Sequence, residues 1–349
     1  MPRTDSPIEF CRLTIQDIPE ISRFLNQVYS LPEYFGMIGA PVFDEDYLSW
    51  LYGGPNLHRT ILSGGRIDGQ LVAYQAFLYR DYFWEKPIRA YLETHAAISP
   101  AIDSRKRIEC LIRLSQQFPI FHPKSDFHDA NCDMVIAFTD ETKKTGAFLD
   151  RYLQKEYQLE RTLFSTLEIF VVIPNRLAAF LQHHADEGAP CRLRDATSED
   201  MPVLSRLFNQ PPPGGELKMM MTKEELEYHL FGGKGHRTTV LEEGGSMKGF
   251  IHAYPMKAIR NMKPTSYLAI EFLYYDSYRP GVFALLLNAA VQHGRDLGIR
   301  TISLENTTYL ENRDFKDAGL VPALRKMLLS VAEREKLLPP GGRYRGDVK

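Results

Sequence analysis

Apolar residues follow two spacings along this chain, every second position in short runs and every third or fourth in longer ones, and the two alternate in a regular order. In the first half the pattern predicts a strand over 8–13, then a helix with Asp17 as N-cap, Pro19 in its first turn and Glu20 as capping-box acid, running to Tyr29. A second helix follows over 44–51 and is stopped by Gly53-Gly54; strands are expected over 59–62, 71–79 and 90–98, with a turn near 84–87. Ile108, Leu111, Ile112 and Leu114 give an amphipathic helix over 104–118, and a polar loop over 122–131 leads to a strand over 134–138. A helix over 144–153 and a strand over 167–172 close the half. The second half predicts strands over 191–194, 239–242, 249–256, 266–275, 301–305 and near 327–332, with helices over 201–208, 223–230, 282–297 and 311–318.

The order of elements repeats because the sequence does. Cys11-Arg12-Leu13, Asp17-Ile18-Pro19, Ser22-Arg23 and Asn26-Gln27 return as Cys191-Arg192-Leu193, Asp200-Met201-Pro202, Ser205-Arg206 and Asn209-Gln210. Leu51-Tyr52-Gly53-Gly54 and His58-Arg59-Thr60 return as Leu230-Phe231-Gly232-Gly233 and His236-Arg237-Thr238, and Gly69 with Ala73-Tyr74 returns as Gly249 with Ala253-Tyr254. Blocks matched in order about 180 residues apart indicate a duplicated domain. The expected division is 1–173, a linker over 174–190 broken at Gly188-Ala189-Pro190, a second domain over 191–335, and a loose tail over 336–349.

A chain of 349 residues matches two average domains. Its formal net charge is −2 with the basic residues scattered, which excludes a broad basic footprint for nucleic acid. The four cysteines have neither metal-ligand nor disulfide-framework spacing, and no segment reads as a signal peptide or membrane span; the expectation is a soluble cytoplasmic protein. His122, Asp126, His128, Asp129, Cys132 and Asp133 crowd one loop without a zinc spacing, so no metal is expected. The two His-Arg-Thr triplets read as structural, bracing the Gly-Gly turns before them.

Glu93 and Glu271 fall in corresponding strands at an offset of 178. A carboxylate in so apolar a strand either lines an open cleft, where it takes a proton, or is tied to a cation on a neighbouring strand. His95, two residues past Glu93, shares its side of an ideal strand, which makes Glu93 and His95 an acid-base candidate pair.

The element order, the D-x-P helix starts and an N…G-[FL] ending beginning at Asn306 resemble the GNAT acyltransferase superfamily. The resemblance implies an α/β fold of two tandem GNAT-like domains, each a mixed, mostly antiparallel sheet flanked by helices. In that family the sheet splays between its fourth and fifth strands, acyl-CoA enters the splay, and its pyrophosphate meets the start of the next helix in an R/Q-x-x-G-x-G/A segment, where unpaired N–H groups and the dipole favour an anion. The matching second-half segment is Ser277-Tyr278-Arg279-Pro280-Gly281-Val282-Phe283-Ala284; the first-half one, 99–109, has no glycine but carries Arg105, Lys106 and Arg107. A tyrosine that protonates the leaving thiolate in many members is replaced by Phe315 in the second half and Phe148 in the first, leaving Tyr309 and Tyr274 as candidates.

The resemblance thus implies acyl transfer, most simply acetyl transfer, from acyl-CoA to an amine of a small molecule, with the site in the second half. Arg279, Gly281, Val282, Phe283 and Ala284 would hold the donor's pyrophosphate, Tyr274 and Tyr275 its pantetheine, Asn306 a further cofactor position, and Glu271 would be the base. Two alternatives stay open on the same fold: a transferase that takes its acyl group from aminoacyl-tRNA, and a non-catalytic sensor or scaffold.

Overall fold

The computed structural model describes residues 6–31, 40–117, 129, 131–140, 155, 161–188, 191–211, 216–260, 262–275, 279–305, 312–333 and 343–345. The first half contains β1 (Glu9–Leu13), α1 (Ile18–Tyr29), β2 (Ala40–Val42), α2 (Glu45–Tyr52), β3 (Ile61–Ile67), β4 (Gln70–Trp84), β5 (Lys86–Ile98), α3 (Ser104–Ser115), β6 (Met134–Asp140) and β7 (Arg161–Val171). After the linker helix α4 (Pro174–His183) come β8 (Cys191–Asp195), α5 (Met201–Phe208), β9 (Glu216–Met220), α6 (Lys223–Phe231), β10 (Arg237–Glu243), β11 (Ser246–Arg260) and β12 (Lys263–Tyr275). The chain continues through α7 (Pro280–Asp296), β13 (Thr301–Glu305), α8 (Asn312–Asp317), β14 (Val321–Glu333) and β15 (Arg343–Arg345). The expected helix over 144–153, with Phe148, and most of the loop over 122–131 lie outside the described residues.

The repeated residues do the same work twice. Asp17 takes the backbone N–H of Thr14 at 2.8 Å, and Asp200 that of Thr197 at 2.8 Å, each closing a capping box that starts the first helix of its half. Asn26 accepts from Phe43 N–H (2.8 Å) and donates to its carbonyl (3.0 Å); Asn209 does the same to Met221 (3.0 and 2.7 Å). Each asparagine thereby pins the residue before the N-cap of the second helix. Asn209→Ala strands the Met221 N–H and carbonyl and is expected to cost about 2 kcal/mol in urea unfolding, whereas Asn26→Ala strands only the Phe43 N–H, because the Ser22 hydroxyl still donates to the Phe43 carbonyl at 2.7 Å, and is expected to cost about 1 kcal/mol. A loss near zero in either variant would show that its half does not need the clamp.

One arrangement is not visible in either half alone. The fifteen strands among the described residues form a single sheet whose main path runs β1-β3-β4-β5-β6-β14-β7-β13-β12-β11-β10-β8. The last strands are exchanged: β14 of the second half pairs with β6 of the first, and β7 of the first pairs with β13 of the second. Two short strands cross as well, β2 onto β11 and β9 onto β4. The 174–190 linker therefore divides the chain but not the sheet. Residues 343–345, in the segment expected as a loose tail, add β15 to β9.

The core follows the exchange. One buried cluster runs from Ile21, Leu25 and Trp50 through Leu92 and Leu329 to Leu204, Leu230 and Phe272, so it spans both halves. Tyr228 donates to the Trp50 carbonyl across the joint at 3.1 Å, and its ring lies so close to Gly54 that a Cβ there would meet ring carbons at 2.7 Å. With φ of +85°, Gly54 is glycine on both counts.

Candidate active site

Parallel pairing of β5 with β6 ends at Glu93–Ala137, and that of β12 with β13 ends at Ile270–Leu304. The sheet thus forks at Glu93 in one half and immediately before Glu271 in the other. A strand fork leaves backbone groups and a wedge-shaped space that a ladder would otherwise consume. Both forks also carry a β-bulge. Between Tyr74–Ala97 and Ala76–Thr94 the strand β5 holds an extra residue, and His95 there has a φ of +50°. Left-handed backbone at a non-glycine residue is strained and recurs at functional sites. In β12 the residue passed over, between His252–Phe272 and Ala253–Ile270, is Glu271 itself.

At the first fork Glu93 accepts from Gln75 Nε2, and His95 turns its Nδ1 to the Tyr52 hydroxyl at 2.7 Å. The bulge ends the strand alternation that would set Glu93 and His95 on one side. Phe43 meets the imidazole edge-on at 4.6 Å and Tyr47 at 6.1 Å. Burial pushes the Tyr52 phenol well above its usual range. His95 and Ile98 are half-buried and Ala96 is exposed, so this strand end meets solvent. The next helix, α3, is capped by the Asp103 carboxylate on Lys106 N–H (2.9 Å), and its first turn presents Arg105 and Arg107 to solvent, followed by Ile108, which is 48% exposed.

At the second fork the carboxylate is buried among the described residues. Glu271 has 3% of its side chain exposed; its Oε2 lies 2.8 Å from His229 Nε2 and 3.8 Å from His252 Nε2, and Thr238 Oγ1 is 3.0 Å from His252 Nδ1. The groups that face this carboxylate are imidazoles, where the sequence reading offered Arg or Lys. Trp50, from the first half, lies against His229 at 4.9 Å and His236 at 4.4 Å, and the His236 ring covers Gly233, as expected for a brace of the Gly-Gly turn. At α7 the N-cap Arg279 makes no side-chain cap but grips Glu243 at 2.7 and 2.9 Å. Gly281, Val282, Phe283 and Ala284 are buried, and Phe283 meets Phe315 edge-on at 5.5 Å while Phe315 stacks on Phe170 at 4.9 Å. Tyr275 joins this cluster; Tyr274 donates to Gln210 and stacks on Phe250 at 6.0 Å. Tyr309 and Asn306 lie outside the described residues.

Aligned on their N-caps, the two helices differ in kind: Arg105, Lys106, Arg107 and Ile108 stand where the second half has Gly281, Val282, Phe283 and Ala284. Cations at a helix N-terminus oppose its dipole and gain from a bound anion. Sequence reasoning missed Tyr52, Trp50, His229, His252 and Thr238 as partners. Tyr52 and Thr238 were flagged only as parts of repeated blocks. Among the described residues no group of three or more His, Cys, Asp or Glu is arranged to hold a metal, and no helix is long and apolar enough to cross a membrane.

No protein-family model matches the chain, and no curated protein matches it in sequence. Solved structures match it in fold. Saccharomyces cerevisiae N-myristoyltransferase with bound myristoyl-CoA is 14% identical with a TM-score of 0.69, over 100% of this chain and 86% of that one. A tandem GNAT protein from the clavulanic acid biosynthesis pathway is 13% identical with a TM-score of 0.60, over 94% of this chain and 98% of that one. A GCN5-related N-acetyltransferase from Kribbella flavida is 11% identical with a TM-score of 0.50, over 93% and 71%. The chain has the tandem GNAT fold.

Proposed function

We propose that this protein is an acyltransferase that moves an acyl group from an acyl-CoA thioester to an amine, with the donor in the first-half cleft. The observation that carries the reading is the fork beyond Glu93, open at Ala96 and followed by a helix start lined with exposed Arg105 and Arg107. In the second half the corresponding helix start is buried, and its Phe283 packs with Phe315 and Phe170 in one cluster, which favours a structural role there. The CoA phosphates of the donor, set against α3, would offset the cations in its first turn. Glu93, at the last paired position, is suited to take the proton of the attacking amine. The fold is shared with a protein holding myristoyl-CoA and with an N-acetyltransferase, so both chain lengths belong in the assay.

Titration calorimetry with acetyl-CoA and myristoyl-CoA tests the reading. Arg105→Glu with Arg107→Glu is expected to weaken binding at least tenfold, about 1.4 kcal/mol, whereas Gly281→Asp leaves affinity within about twofold in protein that remains folded. The opposite pattern would move the donor to the second half.

A further inference from the structure

The exchanged strands bring a hydroxyl of the second half to the carboxylate row of the first. At the first fork the last paired row runs Glu93–Ala137–Ser330, from β5 across β6 to β14. Partners in one row point to the same face of a sheet, and their neighbours along each strand point to the other. Those neighbours, Leu92, Ile136, Leu329 and Val331, all enter the large core cluster shared by the halves. Glu93, Ala137 and Ser330 therefore face the other way. That is the side on which α3 packs: alternation along β4 leads from Ala73, clustered with Cys110 and Leu114 of α3, through Gln75 to Phe77, the partner of Glu93. The row and the Arg105–Arg107 helix start thus share one side of the sheet.

Adjacent strands lie about 4.8 Å apart, which sets the Glu93 and Ser330 backbones roughly 10 Å from each other with only the Ala137 methyl between their side chains. Glu93 is half-buried, and Ala137 and Ser330 are 4% and 6% exposed. The duplicated half supplies a comparison. Its last paired row is Ile270–Leu304–Phe170, which also runs onto a strand of the opposite half. All three side chains are buried in the cluster that holds Phe283 and Phe315. At the same place in the fold, one copy closes with three large apolar groups and the other presents a carboxylate, a methyl and a hydroxyl. A buried hydroxyl costs desolvation and adds little packing unless it serves a partner.

We propose that Ser330 is a catalytic residue of the first-half cleft, contributed by the second half, whose hydroxyl donates a hydrogen bond to the thioester sulfur as charge develops on it. The inference rests on the donor occupying that cleft, with its thioester over Ala137 between Glu93 and Ser330. The amine nitrogen bonds to the acyl carbon, the carbon–sulfur bond breaks with its electron pair going to sulfur, and the amine proton passes to Glu93 and, through solvent, to the departed sulfur. Ser330 gives a hydrogen bond and no net proton. Exchange of β14 then has a use beyond stability, since the strand that ends the second half completes the site of the first.

Bound CoA reports this contact without turnover, because its thiolate absorbs in the ultraviolet where the thiol does not. The complex is titrated with pH and read as the difference from the complex with desulfo-CoA, which lacks the thiol and cancels the tyrosines. Ser330→Ala is expected to raise the pH at which the bound thiol ionises by about one unit, a tenfold loss of thiolate stability. In the same variant kcat should fall about tenfold or more, with KM for acyl-CoA unchanged. Ser330→Thr, which keeps the hydroxyl, should stay near wild type in both. A thiol titration that Ser330→Ala leaves unmoved overturns the inference even if kcat falls, since the loss would then be one of packing. A wild-type protein that binds neither CoA nor acyl-CoA overturns the functional reading and removes the sulfur this hydroxyl serves.

Discussion

Glu93→Gln should lower turnover by roughly 10²–10⁴, the usual contribution of a positioned general base, while acyl-CoA affinity stays within about twofold. The substitution keeps the shape at the fork and a hydrogen-bonding end for Gln75, so the sheet has no reason to move. Glu93 is the residue at which β5 leaves β6, and it stands two positions from the strained His95. Stopped-flow release of CoA thiol checks the rate and calorimetry the binding. Activity should recover as pH rises, because an amine that loses its proton to solvent no longer needs the carboxylate. If Glu93→Gln leaves the rate unchanged and Glu271→Gln abolishes it in folded protein, the working fork is the second one.

Glu271→Ala should instead cost about 3–5 kcal/mol of stability, the loss expected when one member of a buried pair is removed. Its carboxylate lies 2.8 Å from His229 Nε2 and within 3.8 Å of His252, both almost wholly buried. With the carboxylate gone, the buried His229 ring loses the oxygen that faces its Nε2 in the joint between the halves. Replacing the pair together, Glu271→Leu with His229→Leu, should recover much of the loss, since apolar groups of similar volume often substitute for a buried ion pair. Urea unfolding of the two variants measures both figures. A Glu271→Ala protein as stable as wild type but without turnover would make Glu271 a reacting group.

These expectations separate what composition and pattern can carry from what they cannot. The duplication, the element order and the start of each half were legible in residue types, because capping boxes, helix periodicity and the Asp17 and Asp200 starts are local chemistry acting over three or four positions. The resemblance built on that order gave the fold and the position of the fork. It also pointed to the second half as the site, through the glycine at 281.

Tertiary structure decided the rest. Exchange of β7 and β14 between the halves depends on partners more than 100 residues away in sequence, and no period in the chain encodes it. The short strands β2, β9 and β15 escaped the pattern for the same reason: each is held by a strand elsewhere in the chain and is too brief to show alternation. Glu93 and Glu271 look alike in sequence and differ in surroundings. One stands where β5 parts from β6, ahead of a strand end that meets solvent, and the other is buried against imidazoles, one of them packed on Trp50 from the opposite half. Burial and neighbours, not residue type, set what a carboxylate does, and those are fixed only when the two halves have closed on one another.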